Sequence, residues 1–346
     1  MTAPVIAHYT AYRTRQPLGI DGRLDKRAWQ LAPKTPRFVD MANGDLALFD
    51  SRAAALWDDQ NLYIAYWCEE PFPQATLTQR DDMVCRESDV EVFFDGGDCY
   101  YEFEINALGT IYEVFFIWQD AFRHGSRFDV PEFDLLGRKA VSFGGNDDRS
   151  GPTFWYGSHP RGPRWAFLDW DFPGIRTAVQ VDGVLNNRKV LSKGWSVELA
   201  FPWEGMKWLA NGKSLPPKDG DTWRIMFSRF ENLYISGHQA GGQAGWVLSP
   251  HGVNDSHRPE FFPYVHMSST CVEDLDLSFP RNRESICVST RCGVRWLATA
   301  FTAQACETST GLDVRRPRRA PSPLQTPVEG KLGRSNTTAN LTIPIN

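Results

Sequence analysis

The sequence has no C-x-x-C pair, although it contains seven cysteines. Their positions (68, 85, 99, 271, 287, 292 and 306) do not have the spacing of a zinc site. We therefore expect free thiols, mostly buried, in a reducing compartment. The nucleophile and phosphate-loop signatures G-x-S-x-G, H-E-x-x-H and a glycine-rich loop followed by lysine are also missing. No common catalytic motif is therefore available to assign an activity.

Long apolar runs and an excess of positive charge are missing as well. No run approaches the roughly 20 residues that a membrane-spanning helix needs, and the N-terminus lacks the basic and apolar regions of a secretory leader. The chain has 37 Lys and Arg against 42 Asp and Glu, a formal net charge of −5. These features predict no membrane insertion and no nucleic-acid partner. They leave the compartment and the oligomeric state open.

Aromatic residues are abundant, and they are unevenly distributed. The sequence has 13 Trp, 10 Tyr and 22 Phe, and only Trp296 among the tryptophans lies beyond residue 270. The last part contains the basic run Arg315–Arg319, several prolines and a Ser/Thr/Asn-rich end, without an apolar period of 2 or 3.6. We therefore predict one aromatic-rich domain over residues 1–268 and a mostly disordered, low-complexity tail over residues 269–346.

The first 268 residues have the pattern of β-structure. In the segment around Trp195, Val197 and Leu199, apolar residues alternate with Ser196 and Glu198. Comparable short segments predict strands over 53–57, 62–67, 89–95, 101–106, 111–118, 174–182, 195–201, 222–231 and 261–267. Short helices are predicted only over 25–29 and 202–208. The fold class is therefore all-β, an antiparallel, jelly-roll-like β-sandwich with few short helices.

Two predicted neighbouring strands, 89–95 and 101–106, carry acidic residues between their apolar ones. If the apolar residues enter the core, the opposite face groups Glu91, Glu102, Glu104 and Asn106. Clustered oxygen acceptors suit sugar hydroxyls or a hard cation such as Ca²⁺, and two of the glutamates could be the acid and base of a glycosidase. The pattern equally allows a solvated strand face paired with Arg80 or Arg229.

Several segments together resemble family 9 carbohydrate-binding modules and their relatives. The opening GIDGRLDKRAW (19–29) is similar to that family's I-D-G-x-L-D-x-x-x-W. The segments that follow in the family's order are LWDDQNLYIA (56–65), DVEVFFD (89–95), YEFEINALGT (101–110), GWSVELAFPW (194–203) and HRPEFFPYV (257–265). The resemblance covers about 250 residues and excludes the tail after Met267.

The resemblance implies a sugar-binding β-sandwich that takes plant-type polysaccharide or oligosaccharide, of the xylan or cellulose kind, between two aromatic rings. Trp246 is the expected platform, and Cys85 stands where the other ring is expected. Trp118 or the loop residue Trp155 is then the candidate replacement for that ring. The polar residues expected around the sugar are Glu91, Glu104, Asn106 and Arg229. Ring stacking would hold the apolar face of the pyranose, and the polar groups would orient it.

Non-catalytic binding is the preferred interpretation, with a hydrolase as the alternative. The alternative makes two of Glu91, Glu102 and Glu104 the acid and base of glycoside hydrolysis, or the chain a module associated with such an enzyme. Binding requires no cofactor, and the metal ligands are not identified by the sequence. Some members of the family hold calcium, so the resemblance leaves a structural Ca²⁺ open.

Overall fold

The computed structural model describes residues 5–145, 159–235, 238–239 and 242–278. Within these residues the chain forms sixteen strands: β1 (His8–Arg13), β2 (Val39–Asp40), β3 (Ser51–Trp57), β4 (Asn61–Glu69), β5 (Asp89–Asp95), β6 (Cys99–Asn106), β7 (Ile111–Trp118), β8 (Ala140–Phe143), β9 (Arg164–Phe167), β10 (Arg176–Asp182), β11 (Gly194–Pro202), β12 (Thr222–Glu231), β13 (Tyr234–Ile235), β14 (His238–Gln239), β15 (Ala244–Val247) and β16 (Tyr264–Cys271). The helices are α1 (Arg27–Leu31), α2 (Lys207–Ala210) and α3 (Val272–Ser278), with 3₁₀ turns at Val84–Arg86, Pro131–Phe133, Trp203–Met206 and Pro259–Phe261. None of these helices is long and apolar enough to cross a membrane.

The strands form two facing layers, which confirms the predicted sandwich. Hydrogen bonding follows the order β10-β11-β4-β3-β1-β16-β12-β5-β6-β7-β9-β8. The central apolar cluster contains Ile64 and Leu199 from one end of this order together with Val92 and Phe103 from the other. The Tyr66 hydroxyl also donates to the Glu91 carbonyl oxygen at 2.6 Å. The path therefore folds over so that β3, β4 and β11 face β5, β6 and β12.

Strand β1 was not predicted, and it departs from the antiparallel rule. It pairs in parallel with β16, and its end pairs in parallel with β3. The sequence HYTAYR mixes polar and aromatic residues on both faces, so its alternation is weak. Its position between β3 and β16 connects the two layers along one edge.

Apolar clusters also cover the outer faces of both layers. On the β5–β7 side, Phe93 and Phe116 pack with Phe262, which comes from the segment before β16. On the β3–β4 side, Leu56 and Tyr63 pack against α1 and α3. The many aromatic residues of this chain therefore fill three clusters instead of one. A strict apolar-inside, polar-outside pattern would have predicted solvent on these outer faces.

Glu198 joins two of the segments that carry the family resemblance. Its buried carboxylate accepts hydrogen bonds from Trp29 Nε1 at 2.7 Å and from the backbone N–H of Asp21 at 2.9 Å, and Lys26 Nζ lies 2.8 Å away. Gly22 also donates its N–H, from a backbone with φ of +79° that favours glycine. The N-terminal segment and β11 are therefore one structural unit built around a buried acid.

Regular structure continues past the predicted boundary at residue 268. Strand β16 continues to Cys271, and α3 follows directly. Val272 is buried and packs in the same cluster as Trp29, so apolar burial holds this segment on the domain. The rest of the predicted tail, residues 279–346, lies outside the described residues. Among the described cysteines, Cys68, Cys85, Cys99 and Cys271 are free thiols, as expected.

We expect Glu198→Ala to lower the free energy of unfolding by about 3–5 kcal/mol, because it leaves the Lys26 ammonium and the Trp29 N–H without their buried partner. Urea unfolding followed by far-ultraviolet circular dichroism measures this loss. Glu204→Ala is the control, since Glu204 is exposed and should change stability by about 0.5 kcal/mol at most. Equal stabilities of the two variants would contradict the role given to Glu198.

Candidate functional site

The acidic residues of β5 and β6 share one face, as the alternation predicts. In the antiparallel register Glu91 lies opposite Glu104, Asp89 opposite Asn106 and Phe93 opposite Glu102. Val90, Val92 and Phe94 on the other face enter the central cluster. Strand pairing therefore brings Asp89, Glu91, Glu102 and Glu104 together.

This acidic face is covered, contrary to the alternative of a solvated strand face. Asp89, Glu91, Glu102, Glu104 and Asn106 are each at most 5% exposed. The segment before β16 covers them: the Ser256 hydroxyl donates to Glu91 Oε2 at 3.0 Å, and His257 Nε2 lies 3.7 Å from Glu102 Oε1. From the neighbouring strand β12, the Ser228 hydroxyl donates to the same Glu91 oxygen at 2.8 Å. Contacts distant in sequence thus decide which face is open.

The covered carboxyl groups are hard to ionise together. Burial raises the pKa of Asp89 and of Glu102 well above the usual range, and the charge of Glu91 raises both further. Burial likewise raises the pKa of Glu104, with further effects from Cys85 and Asp89. The pKa of the Cys85 thiol is raised to about 12, first by burial and then by Asp89. At neutral pH this group of side chains needs protons or a cation to limit its negative charge.

Trp246 does not offer an open platform in this structure. Its indole is 3% exposed and belongs to the central cluster. Phe49 meets the ring edge-on at 5.9 Å between centroids, and the Arg229 guanidinium lies 5.3 Å from its centroid. Strand β15 lies between β12 and β2, and this pairing turns residue 246 toward the interior. In this arrangement Trp246 therefore lies in the core and presents no open stacking surface.

Arg229 lies beside Trp246, but it does not face the acidic group. It pairs in register with Val90, whereas Ser228 pairs with Glu91, so Arg229 points to the other side of the sheet. Its buried guanidinium bonds Glu70 at 3.0 Å and Glu231 at 2.5 Å. Arg80, the other suggested partner of the acidic face, instead pairs with Glu113 and Asp171. Both pairings suggested from the sequence are therefore wrong.

The remaining predicted sugar contacts have structural partners. Trp118 is buried in the outer cluster, separate from Trp246, and its ring lies 4.7 Å from the Arg164 guanidinium carbon. Asn106 shapes the turn after β6: its Oδ1 accepts the N–H groups of Leu108 and Thr110, both at 3.0 Å. Trp118 and Trp246 therefore do not form a clamp, and Trp155 lies outside the described residues.

Burial of the acidic residues also disfavours the hydrolase alternative in this arrangement. Glu91, Glu102 and Glu104 lie beneath other side chains, and an acid–base pair must reach a glycosidic oxygen and a water. In this arrangement the three carboxyl groups do not line an open cleft.

An open groove with an indole lies on a different part of the domain. Its volume is about 370 Å³, and it runs over the ends of β3, β4, β10 and β11. Trp67 on β4 is half-buried there, and the Lys34 ammonium lies 3.9 Å from its ring centroid. The polar side chains that line the groove are Lys34, Asp50, Arg52, Glu69, Gln180, Asp182, Lys193 and Ser196.

Ion pairs organise the rim of this groove. Arg52 Nε lies 3.0 Å from Asp50, and Lys193 Nζ lies 3.1 Å from Asp182. The pKa of Lys34 is lowered, mainly by burial and then by Arg52. Trp29 contacts the Trp67 ring edge-on at 6.4 Å and supports it from the outer cluster.

Trp67 lies on a strand that the sequence predicts (62–67), but the sequence pattern did not identify it as a site residue. The available signal is its position near the strand end: Tyr63, Ala65 and Trp67 share one face, and Trp67 alone of the three is only partly buried. The alternation specifies that face. It does not reveal that α1 covers Tyr63 and leaves Trp67 at the edge.

No known protein-family profile and no curated protein matches this chain. Among solved structures, this chain is similar to a protein of Bacteroides uniformis that has been ascribed a carbohydrate-binding role. The two sequences are 13% identical, the match covers 76% of this chain and 100% of that protein, and the TM-score is 0.48. A family 9 carbohydrate-binding module of Caldicellulosiruptor kristjanssonii in complex with cellotriose is 12% identical, covering 75% of this chain and 94% of the module, with a TM-score of 0.40. A structure of a family 9 module from the same organism in complex with glucose is also similar to this chain. The sequences are 12% identical, the match covers 75% of this chain and 96% of the module, and the TM-score is 0.39.

The buried acids predict that stability falls as the pH rises. Burial raises the pKa of Glu231 from 4.5 to about 7, an effect that Glu70 increases and Arg229 opposes. Between these two pH values the folded chain binds more protons than the unfolded chain, so unfolding becomes easier as the pH increases. We expect Tm to fall from about pH 5 to about pH 8 in buffer without divalent cations.

Calorimetry of Glu231→Gln should show a smaller fall in Tm over that interval, because the amide does not titrate. The exposed Glu204→Gln should instead follow the unmodified chain. A Tm that rises with pH, or identical slopes for all three proteins, would contradict this assignment.

Proposed function

We propose that this chain is a non-catalytic carbohydrate-binding domain whose ligand stacks on Trp67. The observation that supports the proposal is the open groove, in which a half-buried indole lies among amide, hydroxyl and charged side chains. Such a combination suits a pyranose, because the ring stacks its C–H face on an aromatic surface and hydrogen-bonds through its hydroxyls. The ordered motifs that resemble family 9 modules favour the same ligand class.

The charges of the groove favour a neutral sugar. Its three basic side chains, Lys34, Arg52 and Lys193, are matched by Asp50, Glu69 and Asp182. Since Arg52 and Lys193 already pair with acids of the groove, little positive charge remains to attract a uronic acid. We therefore favour neutral β-linked glucose or xylose oligosaccharides of the cellulose or xylan kind, which offer a flat apolar face.

Lys34 has to move when a sugar ring stacks on Trp67. Its ammonium lies over the indole, and burial already lowers its pKa. A lysine has a long, flexible stem and can turn its head group into water, so the movement is inexpensive. From there it can donate hydrogen bonds to the hydroxyls of a bound sugar. Lys34 would therefore act as a polar contact at the edge of the platform.

We expect Trp67→Ala to weaken oligosaccharide binding about tenfold or more, because losing a stacked ring removes on the order of 1.4 kcal/mol of binding free energy. Calorimetric titration with cellohexaose and xylohexaose measures this change. Trp165→Ala is the matched control, since this half-buried indole on β9 lies outside the groove and the variant should bind like the unmodified chain.

Two results would contradict the proposal. One is an affinity that Trp67→Ala and Trp165→Ala leave equally unchanged, with both variants folded by circular dichroism. The other is release of shorter sugars by the unmodified chain, which would indicate a hydrolase.

A further inference from the structure

Several buried carboxylates elsewhere in the described part of the domain have basic partners. Glu198 pairs with Lys26, Glu113 with Arg80, and both Glu70 and Glu231 with Arg229. These pairs follow the general rule that a charge taken out of water is compensated. Asp89 on β5 and Glu104 on β6 do not follow this rule.

Asp89 and Glu104 have no such compensation. Across the described residues, neither forms an ion pair with lysine or arginine, and Asp89 Oδ2 and Glu104 Oε2 lack a hydrogen-bond partner. Both side chains are at most 1% exposed, so water does not solvate these oxygens. Asp89, Glu91 and Glu104 each contribute one carboxylate oxygen to a group of three, and these three oxygens lie within 4.8 Å of one another. Three converging buried carboxylates, two of which carry an unsatisfied oxygen, point to a missing donor or cation.

We propose that Asp89, Glu91 and Glu104 bind one divalent cation, and that Ca²⁺ fits the site best. Two oxygens on opposite sides of Ca²⁺ at about 2.3–2.6 Å are separated by up to about 5 Å, which matches the observed spread. All three ligands are carboxylates, the donors that hard cations prefer. Asn106, directly opposite Asp89, is occupied by its own turn and is not required.

A cation at this site would have a structural consequence. Glu91 accepts the hydroxyl of Ser256 in the covering segment. A cation here would neutralise the crowded acids and stabilise the segment that covers them. It would act independently of sugar binding at Trp67.

The test is thermal unfolding and calorimetric titration at about pH 7.5 after removal of metals with EDTA. We expect about 1 mM Ca²⁺ to raise Tm by about 5 °C or more, as for a ligand present at roughly 100 times its Kd. Glu104→Gln should have a higher Tm than the unmodified chain in EDTA, because it removes a repelling carboxylate, and its Tm should not respond to Ca²⁺.

Asp95→Asn is the matched control: Asp95 lies on the same strand outside the group, and asparagine can still accept the Gly97 N–H. This variant should keep the full calcium response. The proposal is overturned if Ca²⁺ gives neither heat nor a Tm change with the unmodified chain, or if Glu104→Gln responds to Ca²⁺ as fully as Asp95→Asn. Sugar affinity of Glu104→Gln should be unchanged, so this test stands apart from that of the groove.

Discussion

The covering of the acidic face of β5 and β6 is the constraint on which the rest of the domain depends. One oxygen of Glu91 accepts hydroxyl hydrogen bonds from Ser228 on the next strand and from Ser256 in the covering segment. These contacts hold polar side chains beneath an aromatic layer that includes Phe262. Because the layer excludes water, carboxyl groups that would be unremarkable on a surface become strongly coupled, and their pKa values rise.

The same constraint separates two chemical features that the resemblance would place in one site. Carboxylates gather on the covered outer face, whereas Trp246 and Arg229 lie in the central layer, with Arg229 bound to its own pair of acids. The open indole is Trp67, at the end of the opposite layer. A charged, buried group suits a cation, and an open ring with a balanced rim suits a neutral sugar. The two proposals therefore concern different surfaces of one fold.

Much of the fold could be predicted because alternation reports local geometry. The apolar sets of β5, β6 and β11 identified their core faces correctly, and the acidic side chains met as the register required. The weakly alternating β1 and the extension through α3 were not predicted, since their burial depends on partners more than 200 residues away. The candidate site was predicted less well. Arg229 lies opposite Val90 and therefore faces away from Glu91. The alternation of side chains along a strand explains this orientation, but it can be applied only when the register of β12 against β5 is known.

The sequence by itself determined most of the longer strands, the sandwich and the grouping of Glu91, Glu102, Glu104 and Asn106, because side-chain direction along a strand repeats every two residues. Only the tertiary structure decided which faces meet water. That choice depends on segments brought from elsewhere: the residues before β16 cover the acids, β15 turns Trp246 inward, and α1 covers Tyr63 but not all of Trp67. Burial is a property of packed layers, so no single strand encodes it.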